Sequence, residues 1–320
     1  MDRTAKIMTG LDKSMLGIEV APWIAPIAPK AAGYNVRVMD VFDRPTLMAR
    51  AVSDPDYGNR DMSPLEEVDY VGSATQIATI VPAAEHGTFD YIVSSHNFEH
   101  LPNPIKFLQG CAKILKPGGV LSMAVPDRRG CFDYYRPNTQ LGDWLDAHAA
   151  NRDRPTARQV FDLKSRTAFL QQANRELRGF PVGADSGQVR ISSALAEVYN
   201  TWYVQPVPDR YHDTHCTVMT PASQELLLTE VRYLGLVDFR IEQVSAPNGH
   251  EFYVKLRFGN TDPALTADEF AKLRLKLCHQ VLQDYVPQVL STARRRRPRS
   301  NAVSRGFRSL SRWVRGKPTG

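Results

Sequence analysis

The sequence lacks the features that mark several large classes of protein. Its four cysteines are widely spaced and form no Cys-x-x-Cys pair, so neither a disulfide framework nor a zinc ribbon is indicated. The most apolar early stretch, residues 15–29, holds Glu19 and three prolines, which a membrane-spanning helix tolerates poorly. The charged residues 1–13 contain no apolar core followed by a cleavage site. We therefore expect a cytoplasmic protein without a transmembrane segment.

The excess of basic residues is confined to the C-terminus. The formal net charge is +6, yet residues 294–320 hold ten of the 40 Lys and Arg and no acid. The rest of the chain has 30 basic and 34 acidic residues and is mildly acidic. Because a protein that follows a phosphate backbone usually carries a basic groove in its folded body, nucleic acid is disfavoured as a partner.

Short apolar runs alternate with helix-like segments from residue 15 onward, and this alternation predicts a parallel sheet covered by helices. Strands are predicted at residues 15–20, 36–39, 69–71, 89–94, 120–125, 239–244 and 251–258. Helices are predicted between them at residues 104–115 and 223–234. The two last strands are joined by turn residues and are expected to close the sheet as a hairpin.

The predicted organisation is one domain over residues 1–260, interrupted after the fifth strand by a helical insertion at 127–219. Helices are predicted in the insertion at residues 141–150 and 157–177. Thr266 and Glu269 form a capping box, which predicts a helix within residues 261–290. A basic tail follows from residue 291.

The residues around the fourth strand carry a distinctive pattern. FDYIVSSHNFEHL at residues 89–101 is followed by KILKPGGVL at residues 113–121. This combination closely resembles the fourth strand, the next helix and the fifth strand of class I methyltransferases. The resemblance covers roughly residues 15–126 and, more weakly, residues 219–258. It implies an α/β fold with a Rossmann-like, doubly wound, mostly parallel seven-stranded sheet, and S-adenosylmethionine as the cofactor.

The resemblance places the cofactor at the ends of the first strands. GIEVAP at residues 17–22 falls on the family's first motif, where a strand carries an acidic residue, here Glu19, before a glycine-rich turn under the cofactor. Ala21 stands where the family usually has glycine. Since glycine lets the backbone approach a ligand closely, this methyl group is a departure from the pattern.

Further cofactor positions follow in chain order. Asp40 closes the second strand, where an acid commonly accepts hydrogen bonds from the ribose hydroxyls. Ser73 and Ala74 match the positions at the adenine edge. Ser95 and His96 lie in the loop after the fourth strand, which lines the methionine end of the cofactor in the family.

Residues 96–100 also spell His-x-x-Glu-His, a zinc-protease motif. That motif needs both histidines on one helical face, whereas here it begins in the loop after a parallel strand. We therefore expect no metal, with His96 facing the cofactor and Glu99 and His100 beginning the next helix.

Two segments are predicted to form the acceptor side of the site. Residues 125–137 and 211–221 resemble a bacterial methyltransferase-like subgroup associated with cell-surface glycan genes. The first follows a strand end, where such sheets bind substrates, and the second would return the insertion to the same rim. The implied acceptor is a glycan or another small molecule.

Methyl transfer is an in-line displacement, so the enzyme must align the acceptor and remove the proton of a hydroxyl. His212, His215 and Asp127 are predicted as the base and its orienting partners. Arg128 and Arg136 are predicted to bind a carboxylate or phosphate on the acceptor.

Other roles for these segments stay open. Asp133 and Arg136 can pair with one another, the histidines can cap a loop, and His212, Asp213 and His215 can together hold a divalent ion. The aromatic residues of the insertion suit either stacking on sugar rings or a small hydrophobic core. They are Tyr134, Tyr135, Trp144, Trp202 and Tyr203.

The sequence thus predicts a methyltransferase that uses S-adenosylmethionine and acts on a sugar hydroxyl in surface-glycan assembly. The alternative of a catalytically silent scaffold module arises from Ala21 and Ser73. Nucleic-acid methylation is disfavoured by the acidic body and by SHNF at residues 95–98, where an Asn/Asp-Pro-Pro-Tyr motif would be needed.

The basic tail has two interpretations. Residues 304–316 place apolar side chains at helical spacing among arginines, which predicts a short amphipathic helix on an anionic membrane surface, at the inner face of the membrane. A disordered, solvated tail is the alternative, since low hydrophobicity and like charge disfavour folding in water.

Overall fold

A computed structural model of the chain describes residues 2–53, 60–173, 175–192, 194–204, 212–259 and 265–288. The strands are β1 (Gly17–Val20), β2 (Val36–Asp40), β3 (Tyr70–Val71), β4 (Phe89–Ser95), β5 (Leu115–Pro126), β6 (Ala168–Gln172), β7 (Arg175–Leu177), β8 (Val189–Ile191), β9 (Phe239–Val244) and β10 (Glu251–Phe258). The helices are α1 (Arg3–Ile7), α2 (Arg44–Ser53), α3 (Ile77–Ile80), α4 (Pro104–Ile114), α5 (Leu141–Ala149), α6 (Ala157–Arg166), α7 (Leu195–Tyr199), α8 (Pro221–Tyr233) and α9 (Ala267–Gln283).

Seven strands form the main sheet in the order β3-β2-β1-β4-β5-β10-β9. Strands β1 to β5 run parallel to their neighbours, while β10 pairs antiparallel with both β5 and β9. The carboxyl ends of the five parallel strands therefore lie at one edge. The predicted fold class, a doubly wound and mostly parallel seven-stranded sheet, is confirmed.

The central strands are continuous apolar runs because both faces of the sheet are covered. On one face, the residues of β4 and β5 pack with α4 and α8, for example Ile92 and Leu121 with Phe107 and Val231. On the other face, Tyr91 and Ala124 belong to a second cluster that includes Ile7 of α1. The sheet is thus a rigid platform for side chains at its ends.

The insertion differs in part from its prediction. Helix α6 begins where expected, but the predicted helix over residues 157–177 is wrong beyond Arg166. The chain there forms β6 and β7, which with β8 make a three-stranded antiparallel sheet in the order β7-β6-β8. Ala168 and Leu170 pack against Tyr134 and Phe180, residues outside the segment, so tertiary contacts override local helical spacing.

Helix α9 begins at its Thr266 cap, whose side chain accepts the backbone N–H of Glu269, as the capping box predicts. It packs on α8 through stacked rings of Tyr233 and Phe270, whose centroids lie 3.6 Å apart. The predicted amphipathic segment at residues 304–316 lies outside the described residues. Among the described residues, every helix is too short or too polar to cross a membrane.

Candidate active site

The predicted cofactor residues gather at the edge of the sheet where the parallel strands end. Glu19 lies in β1, Asp40 ends β2, Ser95 ends β4, and Ser73 follows β3. Gly72 donates its N–H to the backbone oxygen of Asp40 at 2.8 Å, which brings the loop after β3 beside the end of β2. Ligands of open α/β sheets bind at such an edge.

The turn after β1 keeps a glycine-like shape without glycine. Ala21 has a φ of 52° and Trp23 a φ of 50°, both in the left-handed region. The N–H of Ala21 donates to the backbone oxygen of Met39 at 2.8 Å, which ties the turn to β2. Because a residue with a Cβ pays about 1 kcal/mol in this conformation, the fold holds Ala21 there against its local preference.

Glu19 stabilises the loop that follows this turn. Its side chain is 2% exposed. Its two carboxylate oxygens accept the backbone N–H groups of Ile27 at 2.6 Å and Ala28 at 2.9 Å. Burial raises the pKa of Glu19 to about 7. Because both oxygens bond the loop, Glu19 positions backbone at the edge where the cofactor is predicted.

The carboxylate of Asp40 has free hydrogen-bond acceptor positions for a ligand. It is buried, its Oδ1 accepts the N–H of Phe42 at 3.3 Å, and burial raises its pKa. Since a carboxylate offers about four acceptor positions, Asp40 can still accept two hydroxyls. The turn at Ala21 and the loop that carries Ser73 are both bonded to the end of β2, and this set of residues fits a nucleoside.

An ion cluster lies beyond β4. Arg3 of α1 donates to both carboxylate oxygens of Glu251 and to Oγ of Ser95. His96, with a φ of 50°, places Nε2 2.8 Å from Glu251. Burial would lower the pKa of His96, but Glu251 and Glu99 raise it to about 9. Arg3 was missed by sequence reasoning because its partners are distant in the chain.

A second cluster forms where the insertion returns to the sheet. The backbone oxygen of Glu99 accepts the N–H groups of Cys216 at 2.6 Å and Thr217 at 3.0 Å. These bonds dock the segment before α8 on the 3-10 turn Phe98–His100. His215 therefore lies at the strand-four loop. The expectation that Glu99 and His100 begin the next helix is wrong, since α4 starts only at Pro104.

The side chains of this cluster face one another. Nε2 of His100 lies 3.7 Å from Oε1 of Glu99, and Nε2 of His215 lies 3.9 Å from it. On its other nitrogen, His215 is 2.5 Å from Asp133, and His100 is 2.7 Å from Asp213. Burial would raise the pKa of Glu99, but the neighbouring histidines hold it below its usual range.

The predicted acceptor residues have mainly protein partners. Asp127 is fully buried and pairs with Arg129 at 2.6 Å. Arg128 donates to Asn138 and stacks on the ring of Tyr285, 4.2 Å away. Neither residue belongs to the Glu99 cluster, and their predicted roles stay predictions.

Arg136 and His212 also occupy defined places. Arg136 pairs with Asp133 at 2.6 Å, so the alternative that these two residues bond each other is confirmed. The ring of His212 packs on Trp202, with centroids 5.2 Å apart. Among the described residues, the group of converging ligand atoms that includes His215 is completed by Glu99 and His100, whereas the alternative from sequence had grouped His215 with His212 and Asp213.

The aromatic residues of the insertion divide between core and surface. Trp144 and Tyr134 are buried in hydrophobic clusters, and Trp144 donates its indole N–H to Thr217. Tyr135 is 42% exposed. For the two buried rings, the core interpretation is therefore the one that the packing supports.

Residues 13–179 match the family described as a methyltransferase domain. Over 63 residues, which are 19% of this chain, the sequence is 36% identical to a ubiquinone biosynthesis O-methyltransferase from Xanthomonas campestris. The matched stretch spans a quarter of the length of that relative, 25%.

Two solved structures are similar over most of the chain. A protein described as a zinc-dependent alcohol dehydrogenase from Rhodobacter sphaeroides has a TM-score of 0.43 at 13% identity, covering 81% of this chain and 91% of its own. A SAM-dependent methyltransferase from Methanosarcina mazei has a TM-score of 0.38 at 13% identity, covering 81% and 99%. Both scores are low, and neither likeness carries an argument about function.

Proposed function

Since this chain belongs to the methyltransferase domain family, we propose that it transfers a methyl group from S-adenosylmethionine to a hydroxyl of a small-molecule acceptor. The observation that carries the proposal is that Asp40 and the left-handed turn at Ala21 lie side by side at the same edge of the sheet. These features end two adjacent parallel strands, β2 and β1. Together they offer an acid for ribose hydroxyls and a backbone turn that a nucleoside can approach.

The residues of the edge would hold the cofactor by its nucleoside part. Asp40 would accept the ribose hydroxyls, and Ser73 would lie at the adenine edge. When bound, the cofactor supplies a methyl group activated on a positively charged sulfur. The left-handed conformation of Ala21 supports an active enzyme over a silent scaffold, because the turn keeps its shape despite the missing glycine.

On the acceptor side of the site, the reaction requires removal of the proton from the hydroxyl group that is methylated. The methyl–sulfur bond breaks as the methyl–oxygen bond forms, and the hydroxyl proton passes to a base. His215 is the candidate base supported by geometry, because Asp133 holds its Nδ1 and leaves Nε2 directed into the cluster. Its neighbour Glu99 is a carboxylate that can stabilise the resulting charge.

The acceptor is proposed to be a hydroxyl compound because the Xanthomonas relative is named as an O-methyltransferase. A sugar hydroxyl of a surface glycan is the finer proposal, supported by the resemblance of residues 125–137 and 211–221 to glycan-associated methyltransferases. Tyr135 packs on Tyr134 and donates its hydroxyl to Val189, and we propose that its exposed part stacks on a sugar. Attachment of the tail to an anionic membrane would bring the enzyme to lipid-linked acceptors.

Calorimetric titration of the full chain with S-adenosylmethionine tests the proposal. Asp40→Ala should weaken binding by about 2 to 4 kcal/mol, because two hydrogen bonds to a charged acceptor are lost. Asp146→Ala, on the exposed side of α5, is the matched control and should bind as the wild type does. Unchanged affinity in a folded Asp40→Ala protein would contradict the assignment, and a wild type that does not bind would favour the silent scaffold.

A further inference from the structure

We propose that Glu99, His100 and His215 form a binding site for one divalent transition-metal ion of the zinc or iron type. Binding of the ion is independent of the proposed methyl transfer. Only the role of the ion in that reaction, given below, rests on the proposed function.

The buried carboxylate of Glu99 is the first observation. The residue is 0% exposed, and among the described residues neither carboxylate oxygen has a hydrogen-bond partner. Oε1 faces nitrogen atoms of His96, His100 and His215 at 3.6, 3.7 and 3.9 Å, all longer than a hydrogen bond. Buried polar groups are nearly always hydrogen-bonded, so this carboxylate keeps acceptor positions that a cation can fill. The side chain is therefore arranged as a ligand.

The distances within the cluster are the second observation. The Nε2 atoms of His100 and His215 lie 3.7 and 3.9 Å from Oε1 of Glu99. Hydrogen bonds between such atoms are shorter, about 2.7 to 3.2 Å. Ligand atoms around a tetrahedral ion with bonds of 2.0 to 2.1 Å are about 3.3 Å apart. The two distances to Oε1 would have to shorten by about half an ångström, and all three ligand atoms already lie within 4.8 Å of one another.

The outer contacts of the two histidines are the third observation. Asp213 lies 2.7 Å from Nδ1 of His100, and Asp133 lies 2.5 Å from Nδ1 of His215. Arg136 in turn pairs with Asp133. Metal-ligating histidines almost always donate their second ring N–H to a carboxylate or carbonyl, which fixes the tautomer. The hydrogen bond to Asp133 orients His215 so that its Nε2 lies toward Glu99. At His100 the contact with Asp213 is close but lacks hydrogen-bond geometry, and Nε2 also lies on the side of Glu99.

The ligand set selects the class of ion. Two imidazole nitrogens and one carboxylate oxygen suit zinc or iron, whereas magnesium and calcium prefer oxygen ligands. The neighbouring group of His96, His250 and Glu251 is less suitable, although its ligand atoms also lie close together. Arg3 donates to both oxygens of Glu251 and places a positive charge where a cation would sit.

Three protein ligands leave an open position, as in catalytic zinc sites. If the proposed function holds, an acceptor hydroxyl bound there would have its pKa lowered, and its proton would leave to solvent. A metal-bound Nε2 cannot accept a proton. An occupied site therefore makes His215 a ligand and no longer the base.

The test uses the full chain, stripped with a chelator and dialysed, then titrated with Zn²⁺ by calorimetry and with Co²⁺ by visible absorption. We expect one ion per chain. Glu99→Gln and His215→Ala should weaken binding by more than the roughly 10- to 100-fold that loss of an outer partner, as in Asp133→Asn, produces. His279→Ala, which removes an exposed histidine of α9, should bind as the wild type does.

Thermal unfolding keeps the test valid if a variant is destabilised. Zn²⁺ should raise the Tm of the wild type and leave that of Glu99→Gln unchanged, because only the first binds the ion in its folded state. Absence of stoichiometric binding by the wild type, or equal affinity in Glu99→Gln, would overturn the site. Titration of the same samples with S-adenosylmethionine separates the two proposals, since each ligand can bind or fail to bind without the other.

Discussion

Two buried glutamates at the same edge of the sheet have opposite electrostatics. Glu19 in β1 is surrounded by backbone N–H groups, and burial raises its pKa to about 7. Glu99, after β4, faces His96, His100 and His215, and its pKa is lowered despite complete burial. The comparison shows that burial does not decide the charge of a carboxyl by itself. Two backbone dipoles offset the desolvation of Glu19 only partly, whereas the interactions of Glu99 with the nearby histidines outweigh its desolvation.

The regions around Glu19 and Glu99 also differ in the kind of contacts they make. The β1 region organises a loop through backbone groups eight and nine residues from Glu19, and the β4 region gathers side chains from distant parts of the chain. We infer that the first region mainly shapes a binding surface and the second mainly supplies chemical groups. The predictions that follow test the first half of this comparison, from the largest expected effect to the smallest.

Removal of the Glu19 carboxyl group should have the largest effect. Glu19→Ala leaves the N–H groups of Ile27 and Ala28 buried without an acceptor, at about 1 to 3 kcal/mol each. The free energy of unfolding, measured by urea denaturation at pH 6, should fall by about 4 kcal/mol. Glu176→Ala, on the exposed β7, is the control and should change it little. A loss below 1 kcal/mol in Glu19→Ala would show that the loop does not depend on this residue.

The raised pKa of Glu19 predicts a dependence of stability on pH. The folded protein holds the proton up to about pH 7, whereas the unfolded chain releases it near the ordinary value of 4.5. The contribution of Glu19 is therefore fully present below about pH 4.5 and is lost as the pH rises through 7, a change of about 3 kcal/mol.

Urea denaturation between pH 4.5 and 8 measures this effect against Glu19→Gln, which keeps the size of the side chain and does not titrate. The free energy of unfolding of the wild type should fall relative to that of the variant over this range. Parallel curves for the two proteins would mean that the amides hold Glu19 ionised, and the contrast with Glu99 would disappear.

A smaller effect is expected at the turn after β1. Ala21→Gly relieves the left-handed strain of about 1 kcal/mol, and the greater freedom of glycine in the unfolded chain offsets part of the gain. The free energy of unfolding should rise by up to about 1 kcal/mol, and affinity for S-adenosylmethionine should be kept or improved.

The control for this turn is Ala25→Gly in the same loop, because Ala25 does not have a positive φ. Glycine at this position relieves no strain and only raises the conformational entropy of the unfolded chain. It should therefore lower the free energy of unfolding by about 0.4 to 1 kcal/mol. Equal destabilisation by both substitutions would indicate that the conformation of Ala21 is not strained.

Much of the fold could be predicted from the sequence because its signals are local. Strands β9 and β10 have the predicted bounds, since alternating and apolar runs between turn residues specify a strand directly. Helix α9 starts at Thr266 because the cap and its partner lie three residues apart. The edge with Asp40 and Ala21 followed from the order of these elements in a known family.

The sequence by itself therefore determined the class of the fold and most boundaries of the helices and strands that it predicted, and it brought the predicted cofactor residues to one edge of the sheet. Only the tertiary structure decided that residues 168–177 pair as strands, that Arg3 reaches Glu251, and that Glu99 and His100 meet His215. The physical reason is the distance along the chain between partners. Periodicity and caps act over a few residues, whereas an ion pair or a ligand set exists only where the folded chain returns to the same point.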